Sequence, residues 1–523
     1  MWATVAGRRY RAARLDRWAA APIDGAVAFG LAGASLALGV LKLPGTSLWG
    51  DEVFSVDLAA TPWPVFWQFV SAHEANMVLY HLLLRGWLGL VALLGVPADE
   101  FIVRVPSIVF GAAAVVTVYA LGRRWCGRAV GLVAAVLLML NQLQLIAARE
   151  ARSYSLEVLL VCLGWYALLA ALSSGRHPRR WWLAFALAMT LALYAHLFSS
   201  LVVAAQALAV ALLVVLPTEW RVHARRSLRL AIASFAAIGV AALPLAVYTL
   251  RHGPTNPQIG PAGIADLARL AWNVAGHDVV FGILLGGAIA IAIRLIVGQL
   301  RTGHQVGAIP ITLASWLCVP VVLSFAATQR FLNLHLFAWG YLVVVIPALC
   351  LLAAIGVVAV RHQLLRVAFT VALVIGAVIA TPEYSAAPSQ DFRAASSWIA
   401  ERYLVGDGLV ATSWSSALGV TYYSRLGPLS QDLVAGFPAP WSWSGGGAIP
   451  IAMPAVERYV GQHPRVFLID SLLSGDAAAV KAQAQEVTAW FDANYRMVGE
   501  IVVPSSLGPV RVRLYETAHP AYL

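Results

Sequence analysis

Charge is what this sequence has least of. Charged residues make up 12% of its 523 positions, against 60% hydrophobic. That balance excludes an ordinary soluble enzyme, and a mean hydropathy of +0.76 places the chain among integral membrane proteins. Lysine is nearly absent, with Lys42 and Lys481 the only two, so arginine carries the net charge of +11. The basic residues gather in short loops between apolar runs and form no aromatic-interleaved face, which argues against a nucleic-acid partner. The four cysteines (Cys126, Cys162, Cys318, Cys350) have no metal-ligand spacing. None lies in residues 382–523, which therefore need no disulfide. No internal repeat of the transporter kind is visible. No cleavable signal is visible either: Arg8, Arg9, Arg11, Arg14 and Arg17 precede a span that reads as a retained anchor.

What is there in abundance is apolar sequence. Runs of roughly 17–25 residues, each long enough to cross a bilayer, recur from Asp24 to Ala380. Beyond Thr381 short apolar stretches alternate with polar and Gly/Pro-rich turns. The expected fold is an α-helical polytopic membrane domain over residues 1–381 and an extracytoplasmic α/β domain over 382–523. Arginine-rich loops at 122–128, 176–180, 221–229, 301–304 and 361–366 set the orientation by the positive-inside rule. If Met77 to Leu94 crossed the membrane, the Arg123 loop would fall outside. Read as an interfacial helix carrying His81, Arg85 and Trp87, it leaves every basic loop inside. About eleven spans follow: 24–43, 103–121, 129–147, 154–172, 181–196, 198–216, 229–249, 278–297, 309–327, 337–359 and 366–381. The N-terminus is then cytoplasmic, and the C-terminal domain lies outside the cytoplasmic membrane.

With this topology the outer loops collect the reactive side chains. The first holds Asp51, Glu52, Asp57, His73, Glu74 and Asn76, and the second runs Arg149-Glu150-Ala151-Arg152-Ser153-Tyr154. His196 closes the third, Asn256, Gln258 and Asp266 sit in the fourth, and the fifth reads Gln329-Arg330-Phe331-Leu332-Asn333-Leu334-His335. Adjacent carboxylates at a membrane boundary are costly to desolvate, so a polar cavity is their expected setting. Two roles fit Asp51 and Glu52. They are first-turn acids capping a helix, or they are a general base with an orienting or cation-binding neighbour. Arg149 and Arg152 fit either an ion-pair network between spans or bidentate binding of a phosphate. Arg330 fits snorkelling or phosphate binding. His196 and Glu74 fit packed or surface roles as well as substrate contact.

Those residues also resemble a family. The Asp-Glu pair, the helix Leu79-Tyr80-His81-Leu82-Leu83-Leu84-Arg85-Gly86-Trp87 and Arg104-Val105-Pro106-Ser107 are similar to the GT-C glycosyltransferases. The resemblance is to the branch of protein O-mannosyltransferases and lipid A aminoarabinose transferases. Ala148 to Leu156 resembles that branch's second-loop signature, and Gln329 to Leu332 its late arginine segment. Glu74-Ala75-Asn76-Met77 departs from the His-Pro-Pro or Lys-Pro-Pro element common there. The resemblance implies a hexosyl- or pentosyltransferase that uses a polyprenyl-phosphate-linked sugar and modifies an envelope glycan, lipid or protein. Asp51 is then the base, with inversion at the anomeric carbon. Glu52 orients it or shares a divalent cation, a cofactor left unassigned. Arg152 and Arg330 hold the phosphate with Arg149 contributing, and Tyr154 and His196 line the sugar pocket.

In the C-terminal part, helices over 391–404, 416–423 and 476–495 alternate with strands over 409–412 and 465–470 and a hairpin over 498–503 and 510–515, as in a small α/β sandwich. Trp441, Trp443 and Gly445-Gly446-Gly447 form a loop that folds over the membrane site, stacks on sugars or is plain surface. A transporter or lipid-linked-sugar flippase is the alternative function, and it calls for ionisable groups in mid-span and broken helices. A structural or sensor protein leaves the acidic pair and the Arg149/Arg152 motif without a role.

Overall fold

The computed structural model describes residues 22–517, apart from 42, 44, 174–176, 253–259, 302–306, 333, 382–388, 428, 430, 474–475 and 477. The N-terminal arginines, Arg176, Asn256, Gln258, His304 and Asn333 lie outside the described residues, as does the stretch just after the expected domain boundary at 381.

Each expected span coincides with a helix or a bent pair of helices. Among the described residues six helices are long and apolar enough to cross a bilayer, or up to eight if each bent pair is one span. In chain order they begin with α1 (Pro22–Val40), followed by three helices of the first loop, α2 (Gly50–Ala60), α3 (Trp63–Ala72) and α4 (Val78–Leu93). Then come α5 (Glu100–Trp125), the bent pair α6 (Arg128–Leu140) and α7 (Gln142–Arg149), α8 (Tyr154–Ser173), α9 (Pro178–Ala195) and α10 (Ser199–Val215). The short α11 (Arg221–Arg226) leads to a second bent pair, α12 (Leu228–Ala241) and α13 (Leu243–His252). After α14 (Ile264–Val274) come α15 (Val279–Arg301), α16 (Ala308–Ala327), a 3-10 turn (Tyr341–Val345) running into α17 (Ile346–Val358), and α18 (Gln363–Ile379).

Ion pairs mark the two ends of this bundle. Asp24, at the start of α1, pairs with Arg123 at 3.2 Å and Arg128 at 2.9 Å, joining α1 to the first basic loop. At the opposite end Arg104 pairs with Glu52 and donates to the carbonyls of Thr46 and Ser47 in the loop after α1, while Arg149 donates to the carbonyl of Leu38 in the last turn of α1. Helix α4 belongs to that second end. Its 16 residues measure about 24 Å, and Trp87, midway along it, meets Ile102 in the first turn of α5, so the middle of α4 lies level with the start of α5. Within α5, Pro106 has no N–H for the carbonyl of Ile102. Trp87 of α4 supplies the missing donor from Nε1 at 2.8 Å, which fixes α4 against α5.

The C-terminal residues build a four-stranded mixed sheet. α19 (Phe392–Arg402) precedes β1 (Gly408–Ala411), then α20 (Trp414–Leu426) and the short α21 (Gln431–Val434). A small hairpin of β2 (Trp441–Ser442) and β3 (Gly447–Ala448) leads to α22 (Met453–Val460), β4 (Arg465–Asp470), α23 (Ala478–Asn494), β5 (Arg496–Val503) and β6 (Val510–Glu516). The order is β1-β4-β6-β5, with β1 parallel to β4 and the other pairs antiparallel. Alternation along β4 dictates the layering. Val466 and Leu468 meet α22 and α23 through Val456 and Phe491, whereas Phe467 and Ile469 share the opposite face with Phe392 and Ile399 of α19.

This sheet unit is clamped onto the first loop. The hydroxyl of Tyr423 accepts from the amide of Leu48 at 2.9 Å, and Gln390 Oε1 accepts from the amide of Gly50 at 2.8 Å. Arg393 pairs with Glu100, and Asp57 accepts from both Arg425 at 2.8 Å and the indole of Trp443 at 2.6 Å. The Trp441–Trp443 stretch is thus folded over the membrane end of the molecule. Trp443 packs on Phe54 and Phe69 with ring centroids 5.2 and 4.8 Å apart.

Candidate active site

The acidic pair divides its labour according to helix geometry. Gly50, Asp51 and Glu52 form the first turn of α2, where free backbone N–H groups favour negative charge. Adjacent residues on a helix project about 100° apart, so the two carboxylates face different surroundings. Glu52 points inward and is fully buried. Its Oε1 accepts from Arg104 Nε at 2.7 Å and from the Ala151 amide at 2.8 Å. Its Oε2 accepts from Arg104 Nη2 at 2.6 Å and from the Trp49 amide at 3.3 Å. Arg104 in turn donates to the carbonyls of Thr46 and Ser47. Glu52 therefore serves as the capping acid and as a bolt joining α2, α5 and the 150–153 loop. The shared cation expected on Asp51 and Glu52 does not fit this donor set, because Glu52 is committed to Arg104. No cluster of three His, Cys, Asp or Glu side chains suited to a metal occurs among the described residues.

Asp51 points the other way, into a cavity of about 470 Å³ lined by Asp51, Phe54, Glu74, Asn76, Met77, His81, Arg152, Tyr154 and Tyr341. Arg152 Nη2 lies 3.3 Å from Asp51 Oδ2, and its side chain is only 11% exposed. The guanidinium also lies over the Tyr154 ring, 5.8 Å from its centroid. Burial pushes the Glu74 carboxyl up to about 7. Arg152 opposes that rise and Asp51 adds to it. Burial and the charge of Glu52 likewise push Glu150, in the same loop as Arg152, up to about 8. Met77 lies in the left-handed backbone region at φ +64°, a strained conformation for a side-chain-bearing residue. It turns the chain from the Glu74 loop into α4 and aims both at the cavity.

Of the eight residues singled out from sequence, Asp51, Glu74, Arg152 and Tyr154 meet at this cavity. Glu52 lies behind it. Arg149 is not among the lining residues: it is buried and donates to the carbonyl of Leu38, which pins α7 to the end of α1. The contact joins two spans through a neutral carbonyl instead of an ion pair. His196 is buried one layer further out. Its Nδ1 accepts from the Phe198 amide at 3.2 Å, and its ring packs 4.8 Å from Tyr341 and 5.6 Å from Tyr154. It supports the tyrosines and does not line the space itself. Arg330 is exposed and outside the cavity.

Sequence reasoning missed Tyr341, Phe54, Asn76, Met77 and His81 as lining residues and Arg104 as the partner of Glu52. Arg104 had a signal, being a lone cation beside Pro106 at the mouth of a span. Asn76 had a weaker one, sharing a loop with Glu74, and it accepts from the Leu197 amide at 3.0 Å. Tyr341 gave none, because it reaches the cavity only through a 3-10 turn ahead of α17.

Comparison with known proteins gives this architecture a class. Residues 83–248 match the family described as dolichyl-phosphate-mannose-protein mannosyltransferase, a segment that includes Arg104, Arg149, Arg152, Tyr154 and His196. No curated protein sequence matches the chain. Among solved structures it is similar to ArnT from Cupriavidus metallidurans in the apo state, with 12% identity and a TM-score of 0.58 over 94% of this chain and 98% of that one. ArnT bound to undecaprenyl phosphate gives 13% identity and a TM-score of 0.51 over 94% and 97%. The oligosaccharyltransferase AglB of Archaeoglobus fulgidus, in complex with an inhibitory peptide and a dolichol-phosphate, gives 11% and 0.52 over 85% and 69%. The fold is that of the GT-C membrane glycosyltransferases. The resemblance to the O-mannosyltransferase branch, first read from short loop motifs, meets a family match over residues 83–248, and the architecture as a whole is similar to that of ArnT.

Proposed function

We propose that this protein transfers a hexosyl or pentosyl group from a polyprenyl-phosphate donor to a glycan, lipid or protein of the cell envelope. Transfer takes place at the outer face of the cytoplasmic membrane and inverts the anomeric carbon. The observation that carries the proposal is the meeting of Asp51 and Arg152, from separate loops, in one polar cavity at the end of the bundle away from the basic loops. Two of the structural relatives hold a polyprenyl phosphate, which is the donor class such a cavity suits. The two bent helix pairs are features that a transporter would also show. Here, however, α7 leads straight into the loop that binds Glu52.

In the reaction, Asp51 accepts the proton of the acceptor hydroxyl as its oxygen bonds to the anomeric carbon. The bond from that carbon to the phosphate oxygen breaks, and the polyprenyl phosphate leaves with the electron pair. Arg152 holds the phosphate and offsets its growing charge. Glu52 and Arg104 fix the turn that carries Asp51. Glu74, protonated up to about pH 7, donates to the donor without adding a second negative charge beside the phosphate.

The test is Asp51→Asn in the purified protein. Sugar transfer should fall by about 10²–10⁴, while undecaprenyl phosphate still binds. Transfer at an undiminished rate would remove Asp51 as the base.

A further inference from the structure

The proposed chemistry gives no task to His81, a polar lining residue of the cavity. His81 sits in the first turn of α4, 1% exposed, and faces the cavity beside Phe54, with ring centroids 6.3 Å apart. Neither Nδ1 nor Nε2 has a hydrogen-bond partner among the described residues. Two unpaired polar atoms on one buried ring cost stability, and an apolar side chain of the same shape would avoid that cost. Burial, reinforced by the charge of Arg152, draws the imidazole down to about 3, so the ring is neutral. It therefore presents one N–H donor and one bare acceptor.

That pairing narrows the ligand. Asp51 only accepts, Arg152 only donates, and Asn76 Oδ1 is engaged by the Leu197 amide. A phosphodiester only accepts, so it satisfies one nitrogen of His81 and strands the other. Sugar hydroxyls both give and take, and a glycosyl group carries several. The ring of Phe54 alongside supplies an apolar surface for the C–H face of a sugar. We propose that His81 binds hydroxyl groups of the transferred sugar and so determines which glycosyl group the cavity accepts. This rests on the polyprenyl-phosphate-sugar reading above and assigns the sugar end of the donor to the wall formed by α4 and α2.

The test uses the full chain in nanodiscs with undecaprenyl phosphate alone and with undecaprenyl phosphates bearing mannose, glucose, xylose or arabinose. His81→Phe keeps the volume and removes both polar atoms. It should weaken the best-bound glycosylated lipid about tenfold, leave the bare lipid phosphate within about twofold, and lower discrimination among the four sugars. His81→Gln restores a donor and an acceptor and should recover most of the loss. Equal weakening of bare and glycosylated lipids, or no change in either, overturns the inference while the donor reading stands. If the wild-type protein binds bare lipid phosphate but prefers none of the glycosylated forms, the donor reading itself fails and takes the inference with it. Should His81→Phe not fold, His81→Leu decides in its place: weakening confined to the glycosylated lipids supports the role, and equal weakening of bare and glycosylated lipids, or none, ends it.

Discussion

Replacing Glu52 with Gln separates a bolt from a catalyst. The carboxylate is fully buried, its partner Arg104 is 4% exposed, and they meet through two hydrogen bonds of 2.7 and 2.6 Å. Breaking a buried pair by neutralising one member costs about 3–5 kcal/mol, because the other charge stays buried without compensation. Gln keeps an oxygen for the Ala151 amide, and Arg104 keeps the Thr46 and Ser47 carbonyls. The lower end of the range, about 3 kcal/mol, is therefore expected. Thermal unfolding in nanodiscs should show the loss as a lower melting temperature. The double variant Glu52→Gln, Arg104→Met should be more stable than Glu52→Gln alone, since it no longer strands a guanidinium. Sugar transfer should fall in proportion to the displaced first turn, with donor affinity close to normal. Full stability combined with abolished transfer would refute this reasoning and return Glu52 to the chemistry.

Glu74 gives a pH signature. Its folded-state pKa lies well above the ordinary value, so it is neutral below about 7 and charged above. A bound phosphodiester disfavours that second negative charge, so donor affinity should fall as pH rises through 7, and Glu74→Gln should flatten the profile measured by donor titration. Arg330→Ala should leave transfer within about twofold, as for a surface site. A loss beyond tenfold in the same assay would bring the 329–335 loop over the cavity in the working protein. Gly50→Ala places a methyl 2.9 Å from Ser415 Cβ and 3.0 Å from Gln390 Oε1. That crowding should destabilise the protein by about 1–3 kcal/mol, read as a lower melting temperature, with transfer falling alongside.

What sequence reveals here follows from how local each feature is. A span is legible because bilayer thickness sets its length, and α4 differs from the spans in carrying His81, Arg85 and Trp87. The strands of the C-terminal unit were legible through their alternation. Arg149 and Arg152 were not separable. They are three residues apart, but residues 150–153 break the helix between α7 and α8, so no periodicity tells which one turns inward. The split between Asp51 and Glu52 was equally hidden, since it depends on Arg104, which reaches Glu52 from another helix. The link from Gly50 to Gln390 reaches across 340 positions. Together with the Tyr423 and Trp443 contacts it holds α2 between the bundle and the sheet unit. The direction in which Asp51 points is therefore a property of both parts of the chain. Arg104 and Glu52 set it from below and Gln390 from above, so a change on either side is transmitted to the same carboxylate.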